Sequence, residues 1–295
     1  MNASELEEYF EAKAFVDETS LHEPTKSLFL TLARRLNGRV LDLGCGSGKM
    51  LQRLLEWGIP RSTTYVGVDS DPRVLKAFDR TFTTLFGQVQ SNAKENGIEI
   101  TAPGGIPILL CTSGAESFLR KGGQFDVITS CSLFDLVDVY SVLPLVYEKL
   151  TTGGCVYSVC NFDGETQFEP VVSYELDEKV IRLYHDSMRH RNLTLGIPDG
   201  EYCSGGKLAP VWQRCGGEIV SFGSSDWVIH PRQGGYHKQE RYMLQSILNF
   251  VDQALNGSSE LTPEEIDFWI RERKRQLENG ELIFVAHNLD FLGTK

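Results

Sequence analysis

Between residues 39 and about 160, five short apolar runs alternate with helix-length segments: RVLDL, TYVGVD, PILLCT, FDVITSCSLF and CVYSVCNF. Strands too apolar to carry a wetted face, separated by helices, point to a parallel sheet covered on both sides. KMLQRLLEW follows the first run, and a long segment from Arg73 through Asn96 follows the second, opened by Asp71-Pro72. AESFLRKG follows the third run and DVYSVLPLVYEKL the fourth. The expected fold class is α/β, a doubly wound, mostly parallel seven-stranded sheet with helices on both faces. An N-terminal helical cap and helical insertions in the C-terminal half complete it.

Ser4 followed by Glu7 is a capping-box pattern, and a second helix is expected over about 24 to 36. Past the core, helices are expected over about 176 to 191, after Gly206, over 239–255, and over 262–277, where Thr262-Pro263 with Glu265 makes another box. GGEIVSFGSSDWVIH reads as two extended pieces and LIFVAHNLDFL as a closing strand. No repeat or linker-like tract interrupts the chain. A single domain over 1–295 is expected, with a cap over 1–38, a core over 39–160 and an elaboration over 161–295 on the side of the acceptor.

A net charge of −11 opposes attraction to nucleic acid, whose non-specific binding draws on cationic contacts to phosphate. SMRHRN and RERKRQ are the densest basic stretches, and both are short. No run approaches the roughly eighteen apolar residues of a membrane span, and MNASELEEYFEAKAF is acidic. Cytoplasmic location is expected. Seven cysteines, an odd number set mostly in apolar strands, favour reduced thiols. Without a CxxC pair or HExxH spacing, no metal site is expected. Oligomeric state leaves no mark on the sequence.

RVLDLGCGSGKML runs from a strand through a glycine turn into a helix, which sets a ligand against backbone N–H groups at the helix start. A phosphate-binding GxxxxGK[ST] loop is ruled out by the spacing and by Met50, which stands where Ser or Thr is required. A dinucleotide loop wants GxGxxG, but Gly44, Gly46 and Gly48 make GxGxG and Lys49 occupies the place of the third glycine. Asp42, just ahead of the loop, would repel a pyrophosphate. It suits a cation or an ammonium group.

VLDLGCGSG resembles the first motif of the class I S-adenosylmethionine-dependent methyltransferases, and the order of elements extends the resemblance over about 39–160. The resemblance implies S-adenosylmethionine as cofactor, with Asp42, Gly44, Cys45, Gly46 and Gly48 around its methionine part. Asp69 and Ser70, ending YVGVDSD, would take the ribose hydroxyls, a task suited to an acceptor-only carboxylate. CTSGAES would meet the adenine; the family's usual aspartate is absent there, leaving Ser113, Gly114, Ala115 and Glu116. Ser130 and Cys131 would face the reactive end, and LTTGGCVYSV resembles the family's Gly-Gly turn.

NFDGETQFEP should bring Asn161 and Asp163 to the carboxyl edge of the sheet. In LDEKVIRLYHDSMRHRN, Ile181, His185 and Arg189 fall four apart, with Tyr184 and Met188 beside them. His185 is the candidate base; Tyr184, Met188 and Arg189 are candidate walls. Tyr9, Lys13, Trp227 and His230 are further candidates for the acceptor, although packing would account for each of them too. The asparagine-proline-proline-aromatic signature of amide and exocyclic-amine substrates is missing. The helical region past the core is similar to that of bacterial small-molecule methyltransferases. The expected reaction is methyl transfer to an oxygen or nitrogen of a small molecule. RNA or protein methylation, nicotinamide-dependent oxidoreduction and non-catalytic cofactor binding are the alternatives.

Overall fold

The strands follow the apolar runs. They are β1 (Arg39–Leu43), β2 (Thr64–Asp69), β3 (Gln90–Lys94), β4 (Gly97–Ala102), β5 (Ile106–Thr112), β6 (Phe125–Cys131), β7 (Leu150–Glu169), β8 (Glu218–Ser224), β9 (Trp227–Ile229) and β10 (Ile283–Thr294). The computed structural model describes residues 3–35, 38–58, 64–73, 78, 82–83, 86–87, 90–94, 97–102, 106–197 and 200–295. Sheet order is β3-β4-β5-β2-β1-β6-β7-β10-β8, with β9 paired to β10. Pairs β5–β2, β2–β1, β1–β6 and β6–β7 are parallel. The winding reverses at β1, which has β2 and β5 to one side and β6 and β7 to the other. In such sheets the crevice for a ligand opens at the carboxyl ends of the strands flanking the reversal.

The mostly parallel α/β sheet matches the sequence reading, but it has ten strands among the described residues rather than seven. The additions are β9 and an antiparallel hairpin, β3–β4, which pairs through β4 with β5. The helix expected from Arg73 through Asn96 therefore stops short, since Gln90–Lys94 is a strand. Asp71 accepts the N–H of Arg73 at 2.9 Å as the helix start requires. Most of the residues after it lie outside those described. The same holds for the side chain of Ser4 and its expected capping box.

The chain divides into two compact units. One comprises Leu21–Asn161, Ser204–Ser224 and Leu289–Lys295. It contains α2 (Glu23–Ala33), α3 (Lys49–Glu56), α4 (Ala115–Lys121), α5 (Val139–Lys149) and α7 (Gly205–Arg214). Alternate residues of its strands feed opposite faces. Val40, Tyr65, Ile108, Val127 and Tyr157 pack with Phe29 of α2 and with Met50, Leu51 and Leu54 of α3. Leu41, Val66, Ile128 and Val156 pack with Leu119, Val142, Val146 and Trp212 of α4, α5 and α7. Each such fully buried aliphatic or aromatic side chain is worth about 1.5–3 kcal/mol. Burial on both faces is what the absence of a polar alternation in these strands requires.

The other unit comprises Met1–Ser20, Phe162–Cys203 and Ser225–Asn288, so the expected cap over 1–38 is divided after Ser20. It holds α1 (Ala3–Ser20), α6 (Tyr174–Thr194), α8 (Lys238–Leu255) and α9 (Pro263–Glu278). Val180, Met243, Leu244, Ile247, Val251 and Trp269 centre its core. Thr262 accepts from the Glu265 N–H at 3.2 Å and Glu265 accepts from the Thr262 N–H at 2.8 Å, completing the capping box read in the sequence. Arg273, fully buried, donates to Asp177 at 2.7 Å, and Trp269 Nε1 donates to the same carboxylate oxygen at 2.5 Å. Among the described residues no helix is long and apolar enough to cross a membrane.

Candidate active site

The loop between β1 and α3 is held in a conformation only glycine adopts without cost. Gly44, Gly46 and Gly48 have φ of 68°, 52° and 82°. A Cβ on Gly48 would lie 2.7 Å from Phe78, and one on Gly44 3.1 Å from Leu133. At Gly46 a Cβ would meet only the Gly44 carbonyl oxygen, at 3.9 Å, so the space over this residue is open. The loop is pinned from β2: the N–H groups of Gly44 and Cys45 donate to the Val68 carbonyl at 2.8 and 3.0 Å. Asp69 Oδ2 accepts the Gly46 N–H at 3.1 Å and Oδ1 accepts the Asp71 N–H at 3.0 Å. The Asp69 carbonyl takes the Ser113 N–H at 2.9 Å, which brings the end of β5 alongside.

This arrangement fits S-adenosylmethionine. Gly46 leaves a cradle that any side chain would fill, and Ser47 Oγ in the same loop is buried without a hydrogen-bond partner among the described residues. Asp69 is half-buried, and each of its oxygens keeps a lone pair for a ribose hydroxyl. Ser70 and Gly114 are exposed beside it, and a Cβ on Gly114 would meet nothing within 4 Å.

Several candidate residues lie elsewhere than the sequence reading put them. Asp42 is 1% exposed and its oxygens accept from Tyr65 Oη at 2.5 Å and Thr129 Oγ1 at 3.0 Å. Burial, opposed by those two hydrogen bonds, pushes its carboxyl up to about 7, so it is a brace beneath the loop rather than an anchor for an ammonium group. Cys45 points its thiol into the core, so only its backbone is offered to a ligand. Ala115 is buried at the start of α4, and Glu116 is paired with Arg120 at 2.7 Å. Ser130 and Asn161 are interior: Ser130 Oγ donates to Ser158 Oγ at 2.9 Å, Ser158 Oγ to Asn161 Oδ1 at 2.8 Å, and Asn161 Nδ2 to the Leu289 carbonyl at 2.9 Å. Both ends of the Asn161 amide are used inside the sheet, which removes it from the acceptor surface. Cys131 is half-buried at the end of β6, with Arg53 Nη1 4.0 Å from its sulfur.

In the second unit, His185 Nε2 lies 3.0 Å from Thr166 Oγ1, and its ring sits 5.7 Å from Phe162 and 5.8 Å from Tyr202. Burial lowers its pKa below the ordinary histidine value, keeping the imidazole neutral. Lys13 pairs with Asp17 at 2.7 Å and lies 5.4 Å over the Trp227 ring, whose Nε1 is buried without a partner among the described residues. Burial pushes the Tyr9 and Tyr184 phenols up, and Lys13, Asp17 and Arg191 act electrostatically on Tyr9. Tyr9, Lys13, Tyr184 and Trp227 thus belong to one half-buried polar and aromatic cluster. Met188 is half-buried on α6 and Arg189 is exposed. His230 is exposed and spends Nδ1 on the Pro231 carbonyl at 3.0 Å, which takes it out of the cluster.

One arrangement of ionisable side chains was not read from the sequence. His287 on β10 holds its Nδ1 2.7 Å from Asp226 Oδ1, with Nε2 4.0 Å from Asp163. A carboxylate fixing one ring nitrogen leaves the other as a proton acceptor. The residues are far apart in sequence, and HNLD within an apolar run reads simply as strand.

Residues 17–161 match the family described as methyltransferase domain. None of the curated proteins matches the chain in sequence. Similar solved structures include the cyclopropane synthase MmaA2 from Mycobacterium tuberculosis, 11% identical with a TM-score of 0.46, over 91% of this chain and 82% of that one. TehB from Haemophilus influenzae is 12% identical with a TM-score of 0.46, over 93% of this chain and 62% of that one. The strand–glycine–helix loop, the Asp69 strand end and the sheet reversal at β1 all lie within residues 17–161, the segment that matches a methyltransferase domain.

Proposed function

We propose that the chain methylates an oxygen or nitrogen of a small-molecule acceptor, working as one functional domain in which residues outside the core serve the acceptor. The observation that carries the cofactor assignment is the open space at Gly46 beside a carboxylate that fixes the loop. When bound, S-adenosylmethionine supplies a methyl group on a sulfonium, open to in-line displacement by a nucleophile held within about 3–3.5 Å. Asp69 and Ser70 take the ribose hydroxyls, Gly44 to Gly48 lie along the methionine part, Gly114 and its neighbours border the adenine, and Cys131 borders the reactive end.

The cluster of Tyr9, Lys13, Tyr184 and Trp227, with Met188 on the same helix as Tyr184, offers the acceptor aromatic walls and an N–H donor at Trp227. His185, kept neutral by burial, takes the acceptor's proton when the nucleophile arrives protonated. With Nε2–H donating to Thr166, the lone pair is on Nδ1. A second reading gives this role to His287, because Asp226 holds its Nδ1 at 2.7 Å and leaves Nε2 to accept. The acidic balance supports a small acceptor over RNA. Seven cysteines, all free thiols, suit a reducing compartment such as the cytoplasm.

Calorimetry of the full chain against S-adenosylmethionine, S-adenosylhomocysteine and NAD tests the assignment. Binding of the first two and no response to NAD is expected; the reverse pattern sinks it.

A further inference from the structure

Asp42 stands in register with Gly67 of β2 and Thr129 of β6, two residues ahead of Gly44 and the loop. It is 1% exposed, and the hydrogen bonds that reach its carboxyl come from neutral hydroxyls, Tyr65 Oη at 2.5 Å and Thr129 Oγ1 at 3.0 Å. Of the charged groups around it, Asp69 of β2 opposes its ionisation and Arg53 of α3 favours it. Its own charge reaches into the loop, where it raises the Cys45 thiol together with burial and Asp69. All of these residues belong to one compact unit. A carboxylate buried against hydroxyl donors alone is poorly compensated for the water it has lost, and burial accordingly raises this carboxyl to about 7.

The hydrogen bonds accommodate both protonation states. Thr129 Oγ1 also lies 3.4 Å from the Leu41 carbonyl. With Asp42 ionised, Thr129 donates to Oδ1; with Asp42 protonated on Oδ1, the carboxyl donates to Thr129 and the threonine hydrogen turns to Leu41. Tyr65 donates to Oδ2 in either state, its phenol held well above the usual range by burial and by Asp42. No donor or acceptor is stranded by the exchange. The ligands of the loop differ in the one property such a group senses. S-Adenosylmethionine and S-adenosylhomocysteine share an ammonium and a carboxylate, but only the first carries a sulfonium. A positive charge held near a buried carboxyl favours its ionised form.

We propose that Asp42 is a specificity-determining residue that separates S-adenosylmethionine from S-adenosylhomocysteine by a proton. Its O–H bond breaks and the proton passes to solvent when the sulfonium is held in the glycine loop, and more of the protonated form remains when the product takes its place. A ligand that drives a proton off binds more tightly as pH rises, so the preference for the charged ligand over the neutral one grows through the range in which Asp42 titrates. The inference rests on the cofactor assignment and goes beyond it to the discrimination between donor and product.

The test is calorimetry of the full chain with each ligand between about pH 5.5 and pH 7, below the range in which the ligands' amino groups titrate, in buffers of different ionisation enthalpy. More proton release with S-adenosylmethionine than with S-adenosylhomocysteine is expected, and the ratio of the two affinities should rise at least about threefold over that interval. Asp42→Asn, whose amide does not titrate, should abolish both the difference in proton release and the rise in the ratio. Equal proton release with the two ligands, or a rise retained by Asp42→Asn, overturns the assignment. A purely structural brace would weaken both ligands alike in the variant and leave the ratio of the unaltered protein flat, which overturns it too. The unaltered protein carries the first comparison, so a variant that fails to fold does not blunt the test. Binding of both ligands without proton exchange overturns this inference alone, whereas binding of neither overturns the cofactor assignment and the inference with it.

Discussion

Asp69 Oδ2 accepts the backbone N–H of Gly46 at 3.1 Å, joining the end of β2 to the centre of the glycine loop. One carboxylate therefore shapes the loop and presents acceptors to the ribose. Asp69→Ala should weaken S-adenosylmethionine binding by more than tenfold by calorimetry, because it removes the charged acceptor and slackens the cradle. Unchanged affinity would reject the ribose assignment.

Gly46 and Gly48 separate cofactor binding from folding. Both have positive φ, so alanine at either costs about 1 kcal/mol or more in strain. At Gly48 the added carbon would also lie 2.7 Å from Phe78 in the core, whereas at Gly46 it would project into open space. Gly48→Ala should lower the thermal midpoint markedly. Gly46→Ala should lower it less while reducing cofactor affinity by at least tenfold. Equal loss of stability in the two variants would show that the space over Gly46 is not a ligand cradle.

Asp42 predicts a pH effect on stability. Its folded pKa is raised from 3.8 to about 7 by burial. Its contribution is therefore fully present below pH 3.8 and is lost as pH rises through about 7, with a slope approaching about 1.4 kcal/mol for each pH unit between those two values. Urea midpoints of the unaltered protein should fall between about pH 4 and pH 8. Asp42→Asn should flatten that fall, since the amide keeps hydrogen bonds to Tyr65 and Thr129 without the charge.

The glycine spacing, Asp69 and the parallel core were legible in the sequence because local backbone chemistry and apolar runs dictate them. The β3–β4 hairpin was missed because Gln90–Lys94 continues a helix-length polar segment. Asn161 and Ser130 were read as facing a ligand because position along a strand does not say which polar side chain finds an interior partner. Their partner Ser158 lies within the same sheet but only the fold reveals it. His287 escaped notice for a related reason, its carboxylate Asp226 being 61 residues away.

The two histidines can be told apart by pH–rate profiles. If His185 takes the proton, the acid limb falls below pH 6.5, because burial lowers its pKa. His185→Ala should then reduce turnover at least tenfold with cofactor affinity intact, and His287→Ala should leave the acid limb in place. The opposite result assigns the role to His287.

Arg273 and Asp177 test the helical unit. The pair is buried, 2.7 Å apart, and Arg273 also donates to the Pro170 carbonyl at 2.7 Å. Arg273→Ala should cost about 3–5 kcal/mol in chemical denaturation by stranding the Asp177 carboxylate. A loss under about 1 kcal/mol would mean that the carboxylate is relieved by protonation or water.

β10 lies between β7 and β8, although residues 170–282 separate it from β7 in sequence. The Asn161–Leu289 hydrogen bond closes a span of 128 residues. Contacts of such separation form late, because the entropy of closing the loop must be met first. Until then β7 and β8 each present an unpaired edge of backbone donors and acceptors, a template for another chain. Refolding yield should accordingly depend on protein concentration, with dilution and cold slowing the sticky encounter more than they slow the strand that eventually fills the gap.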